Sequence, residues 1–433
     1  MKVVVLGGGS SGEHFVGALR RLDDTAELTL VERRLVGGEC SYWACMPTKT
    51  MLRATELVAD THRAPGVSPA GLDPAGVFGW RDLVAERNDS SQVEWLTERR
   101  CELVRGDARA ARHGVVEVEG RELPYDRLVV ATGSAPSIPP IPGIETVDYW
   151  TNKEATETLE VPPSLLVLGG GPVGCELAQF FARVGSKVTL VQSADRLLPR
   201  VDAEAASLVE EALREDGIDV RLRATVERFE GGGAVLAGGE RLAFERLLVA
   251  TGRRPKTDGL ETLGLELTEG GGIAVDERMR AAENVWAIGD ATGIALFTHV
   301  GKYHARVAAY DIAGRPARAD HRAVPATVFT DPQVATVGTL EGTIASWKLT
   351  STPRLSTYER PKRPGFVKVA ADPERGIVTG AVAVGPEAGE WLQQLTLAIR
   401  AETPIEILLD VIPPYPTFSE AVFLALRELN LDL

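Results

Sequence analysis

One local pattern limits the folds open to this chain more than any other: a buried strand, a glycine-rich turn, a helix and a second strand. The first strand is predicted at Lys2-Val3-Val4-Val5-Leu6, and the turn after it reads Gly7-Gly8-Gly9-Ser10-Ser11-Gly12. A helical pattern continues through Leu22, and a second strand over 28–31 ends at Glu32. Such glycines allow a tight turn and close approach of a pyrophosphate, and the acidic residue binds a ribose diol. The pattern predicts a dinucleotide-binding unit.

The same pattern occurs a second time. A strand over 164–168 precedes Gly169-Gly170-Gly171-Pro172-Val173-Gly174, and a helix and a strand over 187–191 follow. Each copy ends much later in a strand with an Ala-Thr-Gly turn, at 131–133 and at 250–252. Two dinucleotide sites imply two dinucleotides, and a flavin with a nicotinamide is the simplest pair.

The second copy does not identify its nicotinamide coenzyme. Gln192 stands where a carboxylate binds the ribose diol of NAD, whereas a 2′-phosphate needs arginine. Only Ser193 and a single Arg196 lie nearby in the sequence. The choice between NADH and NADPH therefore stays open.

Composition argues against several classes of function. The net charge of −14 over 433 residues, without a basic tract, argues against a nucleic-acid partner. No apolar run reaches the length of about 18 residues that a membrane span needs. Because the first predicted strand begins at Lys2, we expect no signal peptide. Because four cysteines in so long a chain do not make a disulfide scaffold, we expect a reducing, cytoplasmic location.

Two of those cysteines, Cys40 and Cys45, lie five positions apart after the first unit. In an ideal helix their Cα atoms would be about 8.6 Å apart, beyond the disulfide limit of about 7 Å. The backbone between them must therefore be tightened or non-helical if the pair oxidises. Pro47 belongs in the first turn of a helix, so we expect a helix from near Cys45 through Leu57. A helix start and Lys49 one turn on would both lower the pKa of the Cys45 thiol.

Two other interpretations of the pair remain. A zinc site lacks a second cluster of cysteine or histidine ligands, so we expect no metal. Two buried, inert thiols are the other alternative. We expect Cys101 and Cys175 to be inert core thiols of this kind.

Together these motifs resemble the pyridine nucleotide–disulfide oxidoreductases, the flavoprotein family of dihydrolipoamide dehydrogenase, glutathione reductase and mercuric reductase. The resemblance covers nearly the whole chain. It rests on both glycine-rich turns, both Ala-Thr-Gly turns, the G-G-x-C-x4-C-x-P-x-K block at 37–49, Gly289-Asp290 and Phe329-Thr330-Asp331-Pro332.

The resemblance implies an α/β fold with two Rossmann-like dinucleotide-binding domains and a C-terminal α+β dimerisation domain. We expect an FAD-binding domain at 1–145 that resumes at 263–321, an NAD(P)-binding domain at 146–262, and an interface domain at 322–433. The expected FAD-binding residues are Gly7, Gly9, Ser10, Ser11, Gly12, Glu32, Arg33, Gly38, Glu39, Ala108, Ala131, Thr132, Gly133, Gly289, Asp290, Phe297, Thr298 and His299. The expected NAD(P)-binding residues are Gly169, Gly171, Val173, Gly174, Gln192, Ser193, Arg196 and Gly252.

The same resemblance assigns catalytic roles. Cys45 is implied to be the thiol against the flavin, and Cys40 the outer thiol that exchanges with substrate. Lys49 and Glu176 are implied to form an ion pair beside the reactive flavin nitrogen, where it would stabilise the charge of the reduced flavin. The plainer alternative for that pair is a surface salt bridge.

The chain departs from the family near its end. Disulfide reductases carry H-P-T-x-x-E there, with the histidine serving as acid–base in the partner subunit's site. Here the segment reads Tyr415-Pro416-Thr417-Phe418-Ser419-Glu420, and the last histidine in the chain is His321. With a pKa near 10, tyrosine donates a proton but is a poor base at pH 7. The alternative for Tyr415 is an interface aromatic that only packs.

We therefore expect an FAD-dependent NAD(P)H oxidoreductase that passes electrons through the Cys40–Cys45 disulfide to a disulfide or another thiol-reactive acceptor. The expected assembly is a homodimer in which Tyr415 and Glu420 serve the neighbouring site. The alternative is a quinone, dye or metal-ion reductase. Mercuric reductase also has the tyrosine, but its C-terminal cysteine pair is missing, because no cysteine follows Cys175. A non-catalytic FAD-binding protein is a third alternative, against which the intact second turn argues.

Overall fold

The computed structural model describes residues 1–358 and 365–430. Its helices are α1 (Ser10–Leu22), α2 (Gly38–Tyr42), α3 (Cys45–Arg63), α4 (Pro74–Ala85), α5 (Ser90–Glu98), α6 (Asn152–Glu157), α7 (Pro172–Arg183), α8 (Ala203–Glu215), α9 (Thr298–Ile312), α10 (Pro353–Tyr358), α11 (Ala388–Trp391), α12 (Gln393–Ala401), α13 (Ile405–Asp410) and α14 (Ser419–Arg427). One-turn 3₁₀ helices lie at Ile144–Thr146, Glu261–Leu263, Gly289–Thr292 and Leu349–Ser351.

The strands are β1 (Lys2–Leu6), β2 (Glu27–Glu32), β3 (Cys101–Arg105), β4 (Ala108–Arg112), β5 (Val115–Val118), β6 (Arg121–Pro124), β7 (Arg127–Val130), β8 (Ser134–Pro136), β9 (Tyr149–Trp150), β10 (Ser164–Leu168), β11 (Lys187–Val191), β12 (Asp219–Arg221), β13 (Val226–Glu230), β14 (Gly233–Leu236), β15 (Arg241–Ala243), β16 (Arg246–Val249), β17 (Arg253–Pro255), β18 (Arg280–Ala282), β19 (Val285–Ala287), β20 (Ala326–Val328), β21 (Gln333–Gly338), β22 (Thr343–Lys348), β23 (Phe366–Asp372) and β24 (Ile377–Gly385).

These elements form two compact units. The first comprises Met1–Pro47, Asp82–Ser137 and Gly252–Asp320. The second comprises Thr48–Arg81, Ile138–Thr251 and His321–Leu433.

The first unit is built on a six-stranded sheet in the order β18-β19-β7-β1-β2-β3. The central β1 pairs in parallel with β2 and with β7. Its residues 3–6 are buried, as expected of a parallel strand covered on both faces. Helices α1 and α9 pack against each other and share a core that includes Phe15, Leu19 and Ala305. The first turns of the two helices are adjacent, because a Cβ added to Gly301 would lie 2.1 Å from Oγ of Ser11.

The second unit contains a parallel sheet in the order β12-β11-β10-β16-β9. Here β10 occupies the central place that β1 has in the first unit, between β11 and β16. Helix α7 packs on this sheet and contributes Phe180 and Phe181 to the core, which also receives Met51 of α3. The local strand–turn–helix–strand pattern has therefore produced the same arrangement twice.

The C-terminal part of the second unit is an antiparallel sheet in the order β20-β21-β24-β23-β22. Helices α12 and α14 pack on this sheet. Within the described residues no helix has both the length and the apolar composition that a membrane crossing requires.

One helix boundary differs from the sequence-based expectation. The helix expected to end near Leu57 continues to Arg63, whose guanidinium pairs with Asp60 at 2.5 Å and with Asp331 at 2.6 Å. Helices α11 and α12 are separated at Leu392. Helix α13 was not predicted. A local sequence pattern does not indicate the contact of Arg63 with Asp331, because Asp331 lies far along the chain.

Candidate active site

The first glycine-rich turn leaves space in front of the amino end of α1. Gly7 has a φ of +107°, and a Cβ there would lie 2.2 Å from the carbonyl oxygen of Ala131. A Cβ added at Gly9 would meet nothing closer than 3.9 Å. No side chain of the described residues caps α1, so its first N–H groups remain available to an anion. These residues fit the pyrophosphate of a dinucleotide.

Glu32 lies at the end of β2, beside this turn. The N–H of Gly8 donates to its Oε2 at 2.8 Å, and the N–H of Arg34 donates to its Oε1 at 2.7 Å. The carboxylate is thereby fixed next to the turn, where a ribose diol would meet it. Arg33 pairs with Asp107 at 3.1 Å, next to Ala108 at the start of β4.

A polar cluster in the same unit surrounds Asp290. The hydroxyl of Ser134 donates to Oδ2 of Asp290 at 2.6 Å, and Nε of Arg253 donates to the same hydroxyl at 2.8 Å. Arg253 also pairs with Glu39 at 2.6 Å, and Lys256 lies 3.9 Å from Glu39. Burial raises the pKa of Asp290, and the bond from Ser134 opposes that shift. Neither Arg253 nor Lys256 was predicted as a site residue, although both lie just after the second Ala-Thr-Gly turn.

The segment that carries the cysteines is broken between them. Cys40 lies in α2, Trp43 leaves the helical region with φ −138° and ψ 2°, and α3 begins at Cys45. This is the non-helical backbone that the spacing required. Both cysteines are half-buried thiols. The hydrogen bond that Cys40 shares with Cys45, followed by burial, raises the pKa of the Cys40 thiol.

Helix α9 begins against these thiols. The hydroxyl of Thr298, its first residue, lies 3.5 Å from Sγ of Cys45. A hydrogen bond with Thr298 and, one turn on, the charge of Lys302 oppose the upward shift of the Cys40 pKa. The positive end of the helix and a lysine thus both favour a thiolate. The ring of His299 stacks on that of Phe297 at 5.2 Å between centroids.

Lys302 also acts on the first turn of α1. Burial raises the pKa of Glu13 to about 7, although the charge of Lys302 opposes that shift. Burial and then the charge of Lys302 lower the pKa of His14. Cys40, Glu13, His14 and Lys302 therefore form one electrostatically linked group in the first unit.

Lys49 and Glu176 form an ion pair in the second unit. Nζ of Lys49 donates to Oε2 of Glu176 at 2.7 Å, and the side chain of Glu176 is only 4% exposed. The N–H of Phe329 donates to Oε1 of Glu176 at 2.9 Å. Nζ of Lys49 also lies 4.8 Å from the centre of the Phe329 ring. The pair is thus a fixed, partly buried arrangement and not a loose surface contact. The backbone contribution of Phe329 was not predicted.

The second glycine-rich turn repeats the geometry of the first. Gly169 has a φ of +109°, and a Cβ there would lie 2.5 Å from the carbonyl oxygen of Ala250. A Cβ at Gly171 would meet nothing within 4 Å, and Val173 is exposed. The N–H of Gly170 donates to Oε1 of Gln192 at 3.2 Å. This turn, like the first, fits a pyrophosphate.

The expected site residues are distributed between the two units. All those expected to bind FAD lie in the first unit, together with Cys40 and Cys45. The residues expected to bind NAD(P) lie in the second, except Gly252, which lies in the first.

The exposure of the two expected C-terminal site residues differs from that of the two remaining cysteines. Tyr415 is 71% exposed, and Oε2 of Glu420 is buried without a hydrogen-bond partner in the described part of the chain.

Cys101 and Cys175 are both buried in the core as expected. Burial raises the pKa of Cys101 to about 12 and also raises that of Cys175.

Comparison with known proteins agrees with this arrangement. Residues 1–313 match the family described as pyridine nucleotide-disulphide oxidoreductase, and residues 324–426 match the dimerisation domain of that family. The chain is 34% identical over 453 residues to dihydrolipoyl dehydrogenase 2 of Haloarcula marismortui, covering 97% of this chain and 95% of the relative. It is 33% identical over 450 residues to a mercuric reductase of Lysinibacillus sphaericus, covering 98% and 82%.

Solved structures give the same result. The crystal structure of LpdA from Mycobacterium tuberculosis has a TM-score of 0.88 at 26% identity, covering 99% of both chains. The HOCl-induced flavoprotein disulfide reductase RclA from Escherichia coli has a TM-score of 0.87 at 26% identity, again over 99% of both chains. These matches do not favour the alternative of a quinone, dye or metal-ion reductase. The chain belongs to the pyridine nucleotide-disulphide oxidoreductase family and is an FAD- and NAD(P)H-dependent oxidoreductase.

Proposed function

We propose that Cys40 and Cys45 are the redox-active pair of this enzyme. The observation that carries the proposal is the hydrogen bond between the two thiols across the helix break at Trp43. Oxidation forms one S–S bond, and its reduction takes two electrons and two protons. The break supplies the close approach that a continuous helix would prevent.

FAD held by the first glycine-rich turn, Glu32 and Asp290 would supply the centre for hydride transfer from the nicotinamide and for passing two electrons to the disulfide. By resemblance to the family, Cys45 is the thiol on the flavin side and Cys40 is the thiol that attacks the acceptor. The contact of Cys45 with Thr298 supports the first role. The charge of Lys302 supports the second, because it opposes the raised pKa of the Cys40 thiol and the thiolate is the nucleophile.

Lys49 lies one helical turn after Cys45 in α3 and is proposed to stabilise the charge of the reduced flavin. Glu176 holds its ammonium group, and the N–H of Phe329 holds Glu176 in turn. A cation fixed in this way stabilises negative charge without reorganising as the charge develops.

Tyr415 and Glu420 are proposed to serve the active site of a second copy of the chain in a homodimer. The match of residues 324–426 to a dimerisation domain supports this assembly. Since no histidine follows His321, the acceptor is proposed to be one that needs no imidazole base, such as an activated disulfide or a thiol adduct. A cytoplasmic location fits an enzyme that keeps a dithiol reduced.

Anaerobic titration of the holoenzyme with reduced nicotinamide tests the proposal. We expect a long-wavelength absorption band, of the kind that a thiolate gives against an oxidised flavin. C40S should lose disulfide reduction yet retain flavin reduction by NAD(P)H, whereas the control C101A should retain both. Full disulfide reduction by C40S, or the absence of the band at two-electron reduction, would overturn the assignment.

A further inference from the structure

The structure adds to the second dinucleotide site an arginine that the sequence pattern did not associate with it. We propose that the coenzyme of this enzyme is NADPH, and that Ser193, Arg196 and Arg223 bind its 2′-phosphate. This inference rests on the proposed nicotinamide site of the second unit, but not on the role of the cysteines.

The two glycine-rich turns differ in the side chain that accepts a hydrogen bond from the turn. In the first, the N–H of Gly8 donates to the carboxylate of Glu32 at 2.8 Å. In the second, the N–H of Gly170 donates to Oε1 of Gln192 at 3.2 Å, and Nε2 of Gln192 donates to the carbonyl oxygen of Arg196 at 3.4 Å. A neutral amide thus occupies the position of the carboxylate. It offers no paired acceptors to a ribose diol and does not repel a phosphate on the 2′-oxygen.

The turn that follows β12 is hydrogen-bonded to the segment that follows β11. The N–H of Gln192 donates to the carbonyl oxygen of Arg221 at 2.9 Å, and the N–H of Ala224 donates to that of Gln192 at 3.0 Å. The N–H of Arg223 donates to the carbonyl oxygen of Ala194 at 2.9 Å. Three backbone hydrogen bonds therefore hold Arg223 directly against the segment that carries Gln192 and Ser193.

Two arginines, Arg196 and Arg223, bring positive charge to this part of the second unit. Arg223 is exposed, and its side chain has no hydrogen bond or ion pair among the described residues. Arg196 is half-buried and uses Nη2 to bond the carbonyl oxygen of Pro199 at 2.7 Å. Ser193 adds an exposed hydroxyl. One acidic residue, Asp195, shares the turn and is exposed. Two guanidinium groups and a hydroxyl form a donor set that suits a phosphate.

The arginine pair needed for a 2′-phosphate is therefore formed by residues from two different strand ends. Arg196 follows β11, and Arg223 follows β12. The strand–turn segment that contains Gln192 includes Arg196 but not Arg223, so the sequence pattern did not distinguish NADPH from NADH.

Calorimetry on the FAD-loaded enzyme tests the proposal without relying on turnover. Adenosine 2′,5′-bisphosphate should bind at least about tenfold tighter than 5′-AMP. R223A should weaken the bisphosphate by about tenfold and leave 5′-AMP unchanged. The control R228A removes an exposed arginine that pairs with Glu230 at 3.1 Å on β13, and should change neither affinity. Q192E should reduce the preference for the bisphosphate and raise that for NADH.

Two results would overturn the proposal: equal affinities of the wild-type enzyme for the two nucleotides, or a bisphosphate affinity that R223A leaves unchanged. The same titrations in C40S separate this inference from the proposed role of the cysteines. If C40S retains disulfide reduction while the bisphosphate preference persists, the cysteine assignment fails and the coenzyme inference stands. If C40S loses disulfide reduction but the preference is absent, the reverse holds.

Discussion

The hydroxyl of Thr298 lies 3.5 Å from the sulfur of Cys45. Thr298 is the first residue of α9, so the same contact places Cys45 at the positive end of that helix. We expect T298V to move the titration midpoint of the thiolate to higher pH, because it removes a neutral hydrogen bond worth about 1 kcal/mol. The measurement is the pH dependence of the long-wavelength band in the two-electron-reduced holoenzyme.

T298S is the matched control for this prediction, since it keeps the hydroxyl and removes only a methyl group. Its titration midpoint should stay near that of the wild type. A T298V enzyme with an unshifted midpoint would mean that the contact contributes nothing to the thiolate.

Lys302 provides a second test of thiolate stabilisation, at Cys40. The hydrogen bond with Cys45 and burial raise the pKa of the Cys40 thiol, and the charge of Lys302 opposes that shift. K302M removes that charge. We expect alkylation of Cys40 in the prereduced enzyme to slow by about two- to fivefold at low salt, because the lysine is exposed and its effect is screened. K302R keeps the charge and should react like the wild type.

Ionic strength gives this prediction an internal check. At about 1 M salt the Debye length is about 3 Å, so K302M and the wild type should converge. A difference that persists undiminished at high salt would point to altered packing of α9 instead of charge.

The parts of the site that could be predicted from sequence are those set by neighbouring residues. Gly7 must be glycine because the tight turn after β1 gives it a positive φ. The break between Cys40 and Cys45 followed from the reach of a disulfide. In each case the signal and its structural consequence lie within one short segment.

The missed parts depend on residues far apart in the chain. Arg253 reaches Glu39 and Ser134, and Arg223 joins the turn of Gln192 through backbone bonds from another strand end. Helix α3 extends to Arg63, which pairs with Asp331. Arginine is common on surfaces, so its position in the sequence does not indicate which carboxylate or turn it meets.

The pair of Lys49 with Glu176 predicts a non-additive effect on stability. K49M leaves a carboxylate that is 4% exposed without its cation, and Lys49 itself is 34% exposed. We expect K49M to cost about 1–3 kcal/mol, below the range for a fully buried pair because solvent screens the lysine. K49M/E176Q should be more stable than K49M alone, since the neutral amide no longer needs a partner.

Thermal unfolding of the four proteins in this cycle, each loaded with FAD, measures the coupling. Phe329 still donates to the side chain at 176 in the double variant, which keeps the local backbone in place. Strictly additive melting shifts would show that the two side chains do not depend on each other.

Glu13 predicts how stability changes with pH. Burial raises its pKa from 4.5 to about 7, against the opposing charge of Lys302 and with a smaller contribution from Asp89. The positive end of α1 favours an anion by at most about 1 kcal/mol, so burial dominates. Between pH 4.5 and about 7 the folded protein holds a proton that the unfolded chain has lost. This group therefore makes the folded state less stable as the pH rises through that window, and the full cost applies above it.

E13Q removes the charge that causes this cost and keeps the shape of the side chain. At pH 8 it should be more stable than the wild type by about 1–3 kcal/mol, and near pH 4 the two should unfold alike, because a protonated carboxyl resembles an amide. The comparison of melting temperatures at the two pH values isolates the titration from any change in packing, which would shift both equally. An E13Q protein that gains nothing at pH 8 relative to pH 4 would mean that Glu13 is ionised in the folded enzyme at little cost, with Lys302 as an effective partner.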